Sequence, residues 1–310
     1  RDKETLDDIL ALEVLKVRAL HDYPTRIERL TSISRPLREH ESQVLSEINR
    51  LDQILLAQYE TPTPSSQSVV GPDSTLHMSA LHMLTLHMST TRAAAIYPVE
   101  SFDGKQDYLD RLSNTLVLAQ IKSTGSNPQQ QTADLVIEGI ENSEPPMSGI
   151  FHYQQGTLSV DLTHVSALPS FEIPGLAIYY GFPGVHAQFT SGATLSISRH
   201  IDIPGIRAGW AGFVLDEAGQ HELDPGPYIY LSRLLAGLAL ADLKKYTGDW
   251  TDAEATEYLL STTPYSIARI KTMLHSLNDN PGLFLAGLIG KVEFRSMFEE
   301  CLERAELCVA

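Results

Sequence analysis

Cysteine is nearly missing from this chain: 310 residues carry two, Cys301 and Cys308. They stand seven apart in what reads as the last helix, about 10 Å along its axis. That is too far for a disulfide while the helix stays wound. So few cysteines suit a secreted and a cytosolic protein equally, and the compartment stays open. Positive charge is scarce too. Thirty-nine acidic residues against 23 basic ones give a net charge of −16, a surface that repels phosphate backbones and excludes nucleic acid as an expected partner. No stretch supplies the roughly 20 consecutive apolar residues of a membrane span, so no transmembrane segment is expected. No secretory leader is readable either. A chain opening on Arg1 rather than Met reads as trimmed or processed, which removes the weight from that absence.

Familiar catalytic signatures are absent as well. There is no G-x-S-x-G elbow, no G-x-x-x-x-G-K-[ST] phosphate loop and no G-x-G-x-x-G after a strand. The lysine pair in "ADLKKYTG" reads as a solvated helix end. Cys301 and Cys308 have no evident base near them, so a thiolate nucleophile is not expected.

What remains is the composition of an ordinary globular protein, 43% hydrophobic and 20% charged, long enough for one large domain or two smaller ones. Apolar residues recur at i, i+3, i+4 and i+7 through most of the chain, the helical period. Residues 1–60 read as N-terminal helices, and Val44, Ile48, Leu51 and Leu55 form a stripe for packing along another helix. A Pro/Ser/Thr-rich loop follows over 61–75, then a helical domain over 76–310. Within 76–88, "LHM" recurs three times in "STLHMSALHMLTLHMST". A step of five residues turns a helix by about 500°, so the histidines spread around it. Met78 with His82 and Met83 with His87 fall at i, i+4, where a soft Cu(I) site is chemically available. The ordinary reading is methionine filling gaps in a packed helix.

One segment changes character. In "GTLSVDLTHV", Leu158, Val160 and Leu162 alternate with polar residues, the mark of a half-buried strand. Its partner is expected in "GIFHYQ", across a turn at Gln155-Gly156. The expected fold is therefore mostly α, a multi-helix domain with a small antiparallel β-element near 150–165. Asp252 and Glu254 fall in the first turn of a helix, where the helix dipole favours acids, and Pro264 and Pro281 punctuate helix ends.

Four segments in order carry a resemblance: "LPSFEIPGLAIYYGFPGVHAQF", "AGWAGFVLDEAG", "TGDWTDAEATEYLLSTTP" and "NPGLFLAGLIGKVEFRSM". "QDYLDRL" at 106–112 precedes them. The chain resembles the DUF885 family, helical bacterial proteins that look like zinc-dependent peptidases, most closely over 145–305. In that pattern H-E-x-x-P-G-H-x-x-Q and E-G-W-A supply two histidine ligands, a glutamate ligand and a glutamate base for a zinc-activated water. The resemblance places those roles at Tyr179 and Val185, at Ala208 and at Tyr180, and a late tyrosine falls at Gly287.

Valine and alanine offer zinc nothing, and a tyrosine of pKa about 10 is neither base nor good ligand at neutral pH. Pro183, Gly184, Gln188, Gly209 and Trp210 keep the frame. His186 is the imidazole left inside the motif. The expectation is a vestigial cleft at Tyr179, Tyr180, Val185, His186, Gln188, Ala208, Trp210 and Gly287, with no catalytic residue, metal or cofactor. Tyr179 and Tyr180 would either plug the cleft or present an aromatic face to a ligand.

A pseudoenzyme that binds a protein partner, an active homologue or a second copy of itself, follows from that reading. The alternative is a hydrolase-like enzyme that reuses the cleft for different, metal-independent or differently metallated chemistry, with His164, His186 and His200 and Asp161, Glu172 or Asp202 as the candidates for a new site. The resemblance tilts the location toward the bacterial periplasm or cell envelope.

Overall fold

The stripe of Val44, Ile48, Leu51 and Leu55 is the buried face of helix α1 (Glu41–Tyr59), and each of the four is at most 4% exposed. The computed structural model describes residues 40–59, 104–124, 135–141, 151–190 except 155, 164, 166 and 167, and 204–303 except 223. The calls on residues 1–39, on the loop at 61–75 and on the His-Met segment lie outside the described residues.

After α1 come α2 (Lys105–Thr124) and the strands β1 (Val136–Ile140), β2 (Phe151–Gln154) and β3 (Thr157–Asp161). A 3-10 turn (Ser170–Glu172), α3 (Ile173–Leu176), one turn of π-helix (Ala177–Gly181) and α4 (Val185–Thr190) lead into the long helices. These are α5 (Pro204–His221), α6 (Gly226–Tyr246), α7 (Asp252–Thr262), α8 (Ile267–Asp279) and α9 (Leu283–Glu303).

The fold is mostly α with a small sheet, as the periodicity indicates. Strands β2 and β3 form the expected hairpin, antiparallel, with His152 opposite Ser159. Leu158, Val160 and Leu162 all point into the core. The sheet is nevertheless mixed rather than antiparallel. Its order is β1-β3-β2, and β1 runs parallel to β3 with Ile137 opposite Leu158. "VIEGI" escapes the alternation test because Glu138 and Gly139 interrupt it and the strand is half-exposed along its length.

Helix α6 is the centre of the molecule, buried from Gly226 to Ala241 except at Leu235. A larger apolar cluster gathers α1, α6, α7, α8 and α9, and a smaller one joins α2, β3 and α3 to the start of α6. Helix α7 opens with a capping box. Thr251 Oγ1 accepts from the Glu254 amide, and the Glu254 carboxylate accepts from the Thr251 amide at 2.7 Å. Glu254 thus bonds the backbone as well as complementing the dipole, while Asp252 pairs with Lys245 of α6.

Two devices fix α9. Helices α5 and α9 cross with their backbones in contact: a Cβ on Gly290 would lie 1.8 Å from the Gly205 carbonyl oxygen, and one on Gly209 would lie 2.6 Å from Gly290. No larger residue fits at 290 without driving the helices apart. At its N-terminus, α9 is capped from α6. Asp242, fully buried, accepts from the amides of Gly282 at 3.0 Å and Leu285 at 3.3 Å.

Burial pushes the Asp242 carboxyl up to about 7, against the pull of those amides and of Lys245. The folded state then keeps a proton that the unfolded chain has lost between about pH 4 and pH 7. Stability from this group is greatest below that window, falls as pH rises through it and levels off above pH 7. Asp242→Asn keeps an acceptor oxygen but cannot ionise. Urea denaturation at pH 5 and pH 8 is expected to show a smaller loss of stability between the two in the variant than in the wild type. An unchanged difference would contradict this role.

Candidate functional site

The segment from Ile173 to Gln188 is not one continuous helix. Its π-helical turn ends at Gly181, Phe182 turns to extended backbone (φ −123°, ψ 128°), the Phe182–Pro183 peptide is cis, and α4 starts afresh at Val185. The pattern after Pro174 reads as helix through Gln188, and the break corrects that expectation. The break is packed tightly: a Cβ on Gly184 would lie 2.1 Å from the Tyr179 carbonyl oxygen, so only glycine lets the chain fold back on the preceding turn.

Two retained residues lock this break onto α5. Trp210 Nε1 donates to the Pro183 carbonyl at 2.8 Å, and Gln188 Nε2 donates to the Arg207 carbonyl at 3.0 Å. Trp210 is itself held edge-on by Phe294 of α9, with ring centroids 5.5 Å apart. Trp210, Pro183, Gly184 and Gln188 therefore do structural work in this chain.

Two of the positions with ligand roles in the resemblance, 185 and 208, carry only hydrocarbon. Val185 is 5% exposed. Ala208 faces Gly287 across the α5–α9 crossing so closely that a Cβ on Gly287 would lie 3.0 Å from the Ala208 Cβ. Two positions 79 residues apart in sequence are thus brought together, and neither offers a donor.

Tyr179 and Tyr180 are half-buried and meet edge to face at 5.0 Å. Tyr180 also packs on Phe151 of β2 at 5.5 Å. Burial raises both phenols above their ordinary value, and Arg207 pulls each of them partly back. Both remain protonated at neutral pH.

His186 is fully buried. Its Nδ1 is hydrogen-bonded to the Tyr153 hydroxyl at 2.9 Å, and the ring stands edge-on to Phe182 at 5.0 Å. Burial pushes the Tyr153 phenol up to about 12, with Gly156 and Arg207 pulling the other way, so the hydroxyl keeps its proton rather than becoming a nucleophile. This pairing of a β2 tyrosine with the motif histidine was not legible in the sequence.

Beneath Tyr180 lies a buried ion pair. Arg269 of α8 donates to Glu172 at 3.2 Å, both at most 1% exposed, and its guanidinium lies 5.3 Å from the centre of the Phe151 ring. Burial raises the Glu172 carboxyl, while Arg269 and the nearby Tyr265 hydroxyl oppose the shift. Glu172 is thus committed to Arg269, and Asp161 accepts from the Thr163 amide at 2.8 Å. His164, His200 and Asp202 lie outside the described residues. Among the described residues, no three His, Cys, Asp or Glu side chains gather as a metal site requires. Away from the cleft, an open groove of about 790 Å³ runs between α7 and α8 over Leu260 and Leu274.

No family model matches the chain, and no curated protein matches it. Among solved structures, the fold is similar to the crystal structure of a "putative lipoprotein" from Colwellia psychrerythraea, with a TM-score of 0.61 at 18% identity. The match covers 86% of this chain and 46% of that one, so the chain spans less than half the length of this neighbour. At that identity the likeness concerns the fold alone.

Gly184→Ala tests whether the break positions Trp210. In a Trp250→Phe background, which leaves Trp210 as the sole tryptophan, the added methyl is expected to shift the emission spectrum. It should also cost about 2 kcal/mol or more by overpacking. Wild-type emission and stability would show that the close approach is not needed.

Proposed function

We propose that the chain is a catalytically degenerate member of the DUF885-like, metallopeptidase-like proteins, retained as a binding or assembly component. The observation that carries this reading is the packing at one helix junction. Val185 is buried, Ala208 meets Gly287, and the Trp210 and Gln188 bonds that frame the site are in place. Zinc needs about three nitrogen, sulfur or carboxylate donors, and the side chains at 185, 208 and 287 provide none. Tyr179 and Tyr180 offer protonated hydroxyls and aromatic faces in place of ligand and base, a surface suited to holding a peptide rather than cutting it.

Metal-independent chemistry in the same cleft is the second reading, and the Tyr153–His186 pair is the feature that favours it. The raised Tyr153 phenol weighs against it, because a group that keeps its proton until about pH 12 is a weak nucleophile at neutral pH. A cell-envelope location belongs to the same proposal. No described helix is long and apolar enough to cross a membrane, and the structural neighbour carries a lipoprotein description.

The test is metal stoichiometry. Protein equilibrated with excess zinc and desalted is expected to hold far less than one zinc per chain by plasma mass spectrometry. One zinc per chain, lost on His186→Ala, would overturn the reading.

A further inference from the structure

The buried acids beside the α5–α9 crossing, Glu47 of α1 and Asp216 of α5, are each met by Arg50 of α1 and by Lys291 and Arg295 of α9. A different buried pair, Arg269 of α8 with Glu172 at the end of the 3-10 turn, is only half made. Both residues are at most 1% exposed, and Arg269 Nη2 donates to Glu172 Oε2 at 3.2 Å. A guanidinium and a carboxylate are planar forks that pair best through two parallel bonds. The second bond of this fork is not formed. Arg269 Nε and Glu172 Oε1 are buried and have no hydrogen-bond partner among the described residues.

The guanidinium is held in place from its other sides. Its Nη1 lies 3.1 Å from Met273 Sδ, and its centre lies 5.3 Å from the centre of the Phe151 ring. Tyr265 stands beside the same carboxylate. Its ring packs on Phe171 at 5.6 Å. Its hydroxyl, buried and without a bond of good geometry, is near enough to Glu172 to draw that carboxyl down. A donor, an acceptor and a hydroxyl thus share one corner lined by the rings of Phe151 and Phe171. Buried polar atoms are costly to leave unbonded, so protein or ordered water joins them. No ion suits this corner, because a cation would meet the guanidinium and an anion the carboxylate.

We propose that Arg269, Glu172 and Tyr265 form a binding site for one internal water molecule, which completes the fork between the two charges. Its oxygen accepts the Arg269 Nε–H, one of its hydrogens goes to Glu172 Oε1, and the Tyr265 hydroxyl makes the third contact. Three bonds are the usual coordination of a buried water. The atoms it bridges belong to a guanidinium and a carboxylate already joined at 3.2 Å, which keeps them within the span of one molecule. The water ties the 3-10 turn to α8 and to the link between α7 and α8. The site lies beneath Phe151 and Tyr180 and is independent of what the cleft above it binds.

The experiment is a high-resolution crystal structure of the wild-type chain and of Tyr265→Phe. In the wild type, a density peak is expected within about 3.2 Å of Arg269 Nε, Glu172 Oε1 and the Tyr265 hydroxyl. A closed fork, with Nε on Oε1 and no peak between them, would overturn the proposal. Tyr265→Phe keeps the ring on Phe171 and removes one of the three contacts, so the peak is expected to lose most of its height. A peak of unchanged height in the variant would overturn the three-partner site. The wild-type map decides the first point even if the variant does not fold.

Discussion

The contact on which most of this structure depends is the meeting of two backbones, α5 and α9, at Gly205, Gly209 and Gly290. A side chain at 290 would collide with the Gly205 carbonyl, so the separation of the two helices is set by the absence of atoms. Everything nearby inherits that distance. One residue beyond the contact, Lys291 reaches Glu47 at 2.8 Å and Asp216 at 2.9 Å. On the same crossing Ala208 comes against Gly287. A crossing closed this tightly leaves no space between positions 208 and 287, and what fills it is hydrocarbon.

The ion cluster beside the crossing would be costly if any member were lost. Breaking a buried pair from one side typically costs about 3–5 kcal/mol because the partner stays buried and charged. Three bases and two acids here come from α1, α5 and α9, with the Ser232 hydroxyl of α6 donating to Asp216 and accepting from Lys291. The cluster therefore ties α1, α5 and α9 to one another. The same logic holds beneath Phe151 and Tyr180, where Arg269 and Glu172 are committed to each other.

Periodicity made a good part of this legible. The α1 stripe, the β3 alternation and the mostly helical character follow from counting apolar positions. The mixed sheet did not, because β1 lacks alternation and pairs with a strand across an intervening hairpin. Pro183 and Gly184 in "YYGFPGVHAQF" signal a hinge, but the extent of the break did not show, because the fold-back at Gly184 depends on a backbone contact rather than on a pattern. The ion partners of α1 on other helices stand 166 to 248 residues away, a separation that no local rule spans. At the site, the resemblance picked out positions one at a time. It did not show that Ala208 and Gly287 touch, or that His186 is engaged by Tyr153.

The central proposal is that the positions at which the DUF885 resemblance would place zinc ligands offer the metal no ligand set in this chain. Diffraction from crystals grown in millimolar zinc, recorded at the zinc absorption edge, tests it most directly. The account predicts no anomalous peak among Tyr179, Val185, His186 and Ala208. A strong peak there, with side chains rearranged to ligate it, would contradict it.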